Sequence, residues 1–151
     1  MQKLSALMAM LLLFGGEAAA APGCLVSNIT SVNFGIYDVF SAVPLDSVGT
    51  VTVRCGQDTP NLTISINPGS SPTFSPRWMK STRLQPLIYD LYLDAAHTVL
   101  WGDGSGGTQR YGPVTMLQDA STTVYIYARV PALQVVAPGD YSETLTVTLN
   151  F

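Results

Sequence analysis

His97, Asp103 and Ser105 fall in one short stretch, Ala95-Ala96-His97 … Gly102-Asp103-Gly104-Ser105-Gly106-Gly107. They are the side-chain types of a serine hydrolase, in which an imidazole oriented by a carboxylate takes the serine proton. Their order argues against that chemistry. The serine-protease nucleophile motif has Asp directly before Ser, and here Gly104 intervenes. His97 is also only eight residues from Ser105, whereas a triad draws its members from distant parts of a longer chain. The stretch reads as a hairpin-like loop whose glycines permit positive φ. His97 is the single histidine, so a histidine metal cluster is excluded, and Asp103 alone is too few carboxylates for calcium. No enzyme activity and no cofactor are expected.

The two cysteines, Cys24 and Cys55, carry the other candidate chemistry. The start of the chain sets their compartment. Lys3, the apolar run Leu4 to Phe14, the break at Gly15-Gly16-Glu17 and the small residues Ala18 to Ala21 read as a secretory signal peptide over residues 1–21. The apolar run is about 11 residues, too short for the roughly 20 of a membrane span. Two cysteines in an exported chain read as one disulfide. Closing a loop of about 30 residues would stabilise the fold by roughly 3–4 kcal/mol. A metal or catalytic thiol pair would need a nearby histidine. A lipid-modified Cys24 behind Gly23 is the alternative, but Pro22 and Ala21 suit it poorly and Cys55 would lose its partner.

Two further kinds of feature have a sharp and a plain reading. Asn28-Ile29-Thr30 and Asn61-Leu62-Thr63 match the N-glycosylation triplet, which is frequent by chance in Thr-rich strands. Trp78 and Trp101, flanked by loops, could be stacking platforms for sugar or ordinary core and rim residues.

Residues 22–151 are enough for one domain with a real core. Charged residues are 11% of the chain and the net charge is −3. No basic patch exists, which argues against nucleic acid as a partner.

The elements that must position these groups are strands. Cys24 to Ile36 is a first strand region, with Val32, Phe34 and Ile36 alternating after a break in phase at Ile29. That break suggests a bulge or a switch between sheets. Thr50 to Cys55 alternates with Val51, Val53 and Cys55 inward, so Cys55 could meet Cys24 in the core. Leu62, Ile64 and Ile66 form a third strand; Pro86 to Asp94 a fourth, with Leu87, Tyr89, Leu91 and Leu93 on one face; Thr122 to Val130 a fifth. Arg77 to Leu84 is ambiguous, and Gly102 to Pro113 reads as a Gly-rich loop.

The last stretch, Tyr141 to Phe151, alternates without a slip from Leu145. Leu145, Val147, Leu149 and Phe151 point one way, and Thr144, Thr146, Thr148 and Asn150 the other. This is the pattern of a strand buried on one face. Six short strands with antiparallel-style alternation indicate an all-β, immunoglobulin-like sandwich, which ordinarily has seven strands. The missing one would follow Phe151, so the sheet is expected to be unfinished along the edge formed by Leu145, Val147, Leu149 and Phe151.

Taken in order, several phrases resemble the spore coat protein U domain. They are Cys24 with Val32-Asn33-Phe34-Gly35-Ile36-Tyr37-Asp38, then Gly49 to Cys55, Leu87 to Asp94, Trp101-Gly102-Asp103-Gly104, and Gly139-Asp140-Tyr141 with Leu145 to Phe151. The resemblance covers essentially all of residues 22–151. It implies a subunit of an archaic chaperone–usher pilus, a surface fibre of Gram-negative bacteria used in attachment and biofilm, or a stand-alone secreted coat protein of the same fold. It also implies partners: a periplasmic chaperone that holds the incomplete sandwich, an outer-membrane usher, and a neighbouring subunit whose donor strand completes it.

Fibre-building subunits of that family carry an alternating apolar donor segment ahead of the first cysteine. Here at most Ala21-Pro22-Gly23 precede Cys24, which extend about 10 Å and include two poor strand formers. The expectation is a chain that accepts a donor strand without supplying one, as at the tip of a fibre.

Overall fold

The computed structural model describes residues 23–81 and 85–151; the expected signal peptide, residues 1–21, lies outside them. The described part is all-β, with eight strands. These are β1 (Cys24–Thr30), β2 (Leu45–Cys55), β3 (Thr59–Ile66), β4 (Arg77–Met79), β5 (Leu87–Tyr92), β6 (Tyr111–Met116), β7 (Ser121–Val130) and β8 (Val147–Asn150). One sheet has five strands in the order β1-β2-β7-β5-β4 and the other has three, β6-β3-β8. Every ladder is antiparallel.

The inward faces follow the period-2 pattern. Val51, Val53, Leu87, Leu91, Val124, Ile126, Ala128 and Val130 of the larger sheet are buried against Leu62, Ile64 and Ile66 of the smaller. Alternation drives this arrangement because a one-residue slip in any ladder would turn the whole apolar set outward. Cys24 stands opposite Cys55 in the β1–β2 ladder, and the two are joined by a disulfide within the core cluster.

Two strands are additional to the six expected, and β2 begins at Leu45 rather than at Thr50. β4, within the ambiguous stretch, is three residues at the sheet edge. β6 begins at Tyr111, inside the stretch expected as loop. Gly112 and Pro113 disguise it, since both are poor strand residues. Gly112 has φ +88° and packs so tightly on the Leu62 carbonyl that no side chain fits between them.

The first strand region also stops early. β1 ends at Thr30, and its register shift lies between Val26 and Asn28, upstream of the expected break. Gly49 accounts for the exit. A Cβ on Gly49 would come within 2.6 Å of the Thr30 oxygen and 3.0 Å of the Val32 side chain. With no side chain there, the chain crosses close over β2 as it leaves the sheet. Residues 31–38 continue without a ladder. Val32 and Phe34 stay packed on the core, whereas Ile36, which shares their alternation, is 94% exposed.

Candidate functional site: an open groove between the sheets

The ladderless segment and the last strand are the two walls of a groove of about 1040 Å³. On one side stand residues 31–38 and the turn beyond them; on the other, residues 136–147. The floor is core: Ile66, Leu87, Tyr89, Leu91, Ile126 and Val130. These floor side chains are themselves nearly closed off from solvent, so the groove lies directly over the interior of the sandwich.

Each wall is anchored away from the groove. The Asn33 carbonyl accepts from the Ser47 hydroxyl at 2.7 Å. The Tyr37 hydroxyl donates to the Pro131 carbonyl and accepts from the Gln134 N–H, both at 2.8 Å. The opposite wall is tied to β3 and β4. Ser142 and Lys80 exchange main-chain hydrogen bonds of 2.9 and 3.0 Å, Asn67 N–H donates to the Thr146 carbonyl, and Thr146 N–H donates to the Asn67 side-chain oxygen. β8 then pairs with β3 and is the edge of its sheet.

At the entry to this wall the Tyr141 hydroxyl donates to the Ala137 carbonyl at 2.7 Å. A tyrosine bonding back a few residues at the start of strand F is the tyrosine corner of immunoglobulin-like sandwiches. β8 therefore occupies the place of strand F. Among the described residues no strand pairs with its other edge.

Of the four residues expected along the open edge, Leu145 and Val147 line the groove. Leu149 is half-buried on the core beyond it. Phe151 is 58% exposed, and its ring lies over Gly23 at the disulfide end of the sandwich. Alternation placed all four on one face, but the groove spans only part of that face. The wall 31–38 was the less legible one. Its signal, Val32 and Phe34 alternating after the break in phase, suggested a strand, and the structure leaves it without a ladder.

The groove floor carries one polar side chain among the described residues. Tyr89 rises from the floor, and burial holds its phenol well above the ordinary value. Glu143 sits on the wall, its carboxylate accepting from Ser70 N–H, Ser70 hydroxyl and Thr144 N–H. Beside Tyr89 in the β4–β5 ladder is Arg77, which is completely enclosed. Burial lowers its pKa, and its guanidinium donates to the carbonyls of Phe74 at 2.8 Å and Trp101 at 2.6 Å. Pattern reading did not single out Arg77, because an arginine at a strand start ordinarily signals a solvated edge.

The other candidates resolve into structural roles. Trp101 is fully buried, its indole N–H donating to the Ile64 carbonyl, so it is no sugar platform; Trp78 is half-buried on β4. Asp103 accepts from both the N–H and the hydroxyl of Ser105, which closes a local turn. His97 is elsewhere, edge-on to Tyr92 and Tyr127 and 3.9 Å from Asp46. Among the described residues no three His, Cys, Asp or Glu side chains converge on a metal position.

Residues 10–148 match the Spore Coat Protein U domain. A curated relative, Protein U of Myxococcus xanthus, is 30% identical over 132 residues, covering 80% of this chain and 72% of its own. Among solved structures the fold is similar to a chain in the CsuC–CsuE chaperone–tip adhesion subunit pre-assembly complex, from the archaic chaperone–usher Csu pili of Acinetobacter baumannii. The TM-score is 0.55 at 26% identity. That match covers 85% of this chain but spans 39% of the other.

Proposed function

The chain belongs to the spore coat protein U domain family, and from that premise we propose that it is a structural subunit of a chaperone–usher surface fibre whose groove takes a strand from a partner protein. The groove between the ladderless segment 31–38 and the free edge of β8 carries the reading. Strand addition supplies main-chain hydrogen bonds to an open edge and side chains to the apolar floor. It also removes the aggregation hazard of an unpaired edge.

The occupants follow from the relatives. A periplasmic chaperone holds the groove first and a neighbouring subunit fills it later, with an usher between the two stages. Similarity to a chaperone-bound subunit supports the chaperone. Residues 1–21 serve as the export signal and residues 22–151 as the fibre domain. The distal position is the finer part of the proposal, and the tip role of the solved relative supports it. A stand-alone coat protein of the same fold is the second reading, favoured by the long match to Protein U.

Purification from periplasm, with and without the chaperone encoded alongside, separates the two. A fibre subunit is recovered as a one-to-one complex and is lost without the chaperone. Equal recovery of a soluble, monodisperse chain in both cases would overturn the fibre reading in favour of the second.

A further inference from the structure

Tyr89 is 3% exposed, and its hydroxyl is closed off from solvent without a hydrogen-bond partner among the described residues. Buried hydroxyls are almost always paired, and leaving one unpaired is costly. Its neighbours do not serve it. Arg77 spends its terminal nitrogens on the Phe74 and Trp101 carbonyls, and Glu143 accepts from Ser70 and Thr144. Phenylalanine would keep the packing and shed the cost, so the hydroxyl itself needs an explanation.

Its position supplies one. Tyr89 is part of the groove floor, between walls that include Phe34 and Glu143. The Phe34 ring meets it edge-on at 6.4 Å, and Phe34 belongs to the segment that has no ladder of its own. The Tyr89 ring is therefore packed against a wall that an incoming strand would rearrange.

We infer that the strand filling the groove carries one hydrogen-bonding side chain, a hydroxyl or a carboxamide, at the inward position seated on Tyr89, and that this pair sets the strand's register. The inference rests on the groove taking a strand. An alternating apolar strand meets an aliphatic floor equally well after a two-residue slip, because only the face is fixed by alternation. One polar pair removes that degeneracy. A slipped strand buries two unpaired groups instead of joining them.

The test is a double-mutant cycle on the folded protein with two capped peptides. One is Lys-Val-Ser-Val-Ser-Val-Ser-Val-Lys; the other replaces one inner valine by threonine, which keeps the shape and adds a hydroxyl. Against the parent protein the threonine peptide binds at least as tightly as the valine peptide. Against Tyr89→Phe it binds about fivefold to tenfold more weakly than the valine peptide, in line with one net hydrogen bond. Tyr89→Phe alone melts no lower than the parent.

Equal preference for the valine peptide in both proteins overturns the inference and leaves the groove reading standing. A markedly lower melting temperature for Tyr89→Phe also overturns it, since the hydroxyl would then have a partner within the fold. Failure of both peptides to bind overturns the groove reading and the inference with it.

Discussion

The Arg77 guanidinium donates a 2.6 Å hydrogen bond to the main-chain oxygen of Trp101, and both residues are fully enclosed. Trp101 N–H donates to the Leu91 carbonyl of β5, and its indole N–H to the Ile64 carbonyl of β3. One residue thus joins the two sheets beside the groove floor, and Arg77 locks its peptide. Carbonyl dipoles and the Phe74 ring, 5.5 Å away, replace part of the hydration of this buried arginine, whose Nε has no hydrogen-bond partner among the described residues.

Arg77→Ala removes the lock and leaves two carbonyls unpaired, at a cost of about 3 kcal/mol. For a domain of this size that is a fall of roughly 10 °C in melting temperature. Arg77→Lys does not restore stability, because a single ammonium lacks the fork that reaches both carbonyls. Recovery of the parent melting temperature by lysine would refute this account of the site.

Gly49→Ala tests the crossing of the first wall. The added methyl meets the Thr30 oxygen at 2.6 Å, so backbone must shift, at a cost of about 1–3 kcal/mol. Because the strain falls where residues 31–38 leave the sheet, occupancy of the groove should fall along with thermal stability. An alanine variant that melts and binds like the parent would show that the close approach is unimportant.

Asp90 gives a pH dependence. Burial raises its carboxyl pKa, outweighing the Ser75 hydrogen bond and the Arg77 charge that pull it down. A folded-state pKa above the unfolded one means that stability from protonated Asp90 is full below the unfolded value, about 3.9. It is lost as pH rises through the folded value. Asp90→Asn should therefore raise the melting temperature at pH 7 and leave it nearly unchanged at pH 3. A larger gain at pH 3 than at pH 7 would reverse the sign and contradict the cause.

Val147→Asp places a charge on the groove wall and on the ladder opposite Ile66. It is expected to abolish periplasmic accumulation, since both folding and capture of a strand need that wall to be apolar. Deleting residues 104–107, a turn outside the core and the groove lining, should be tolerated far better. Comparable levels of the two variants in periplasmic extracts would argue against the role of the wall.

The sequence by itself determined the fold class, the inward faces of β2, β3, β5 and β7, and the pairing of Cys24 with Cys55. All three depend on period-2 alternation or on counting, which are local properties. It also pointed to an unfinished edge at Leu145 and Val147. Only the tertiary structure decided the other wall. Residues 31–38 alternate like a strand but join no ladder, and the chain leaves the sheet where Thr30 of β1 passes close to Gly49 of β2, a contact made only by folding. The same holds for Leu149 and Phe151, which share the alternation yet lie beyond the end of the groove. Arg77 and the Tyr89 hydroxyl were invisible to pattern for a related reason. The cost or benefit of a buried polar atom is set by what stands within about 3 Å of it, and no spacing along the chain records that distance.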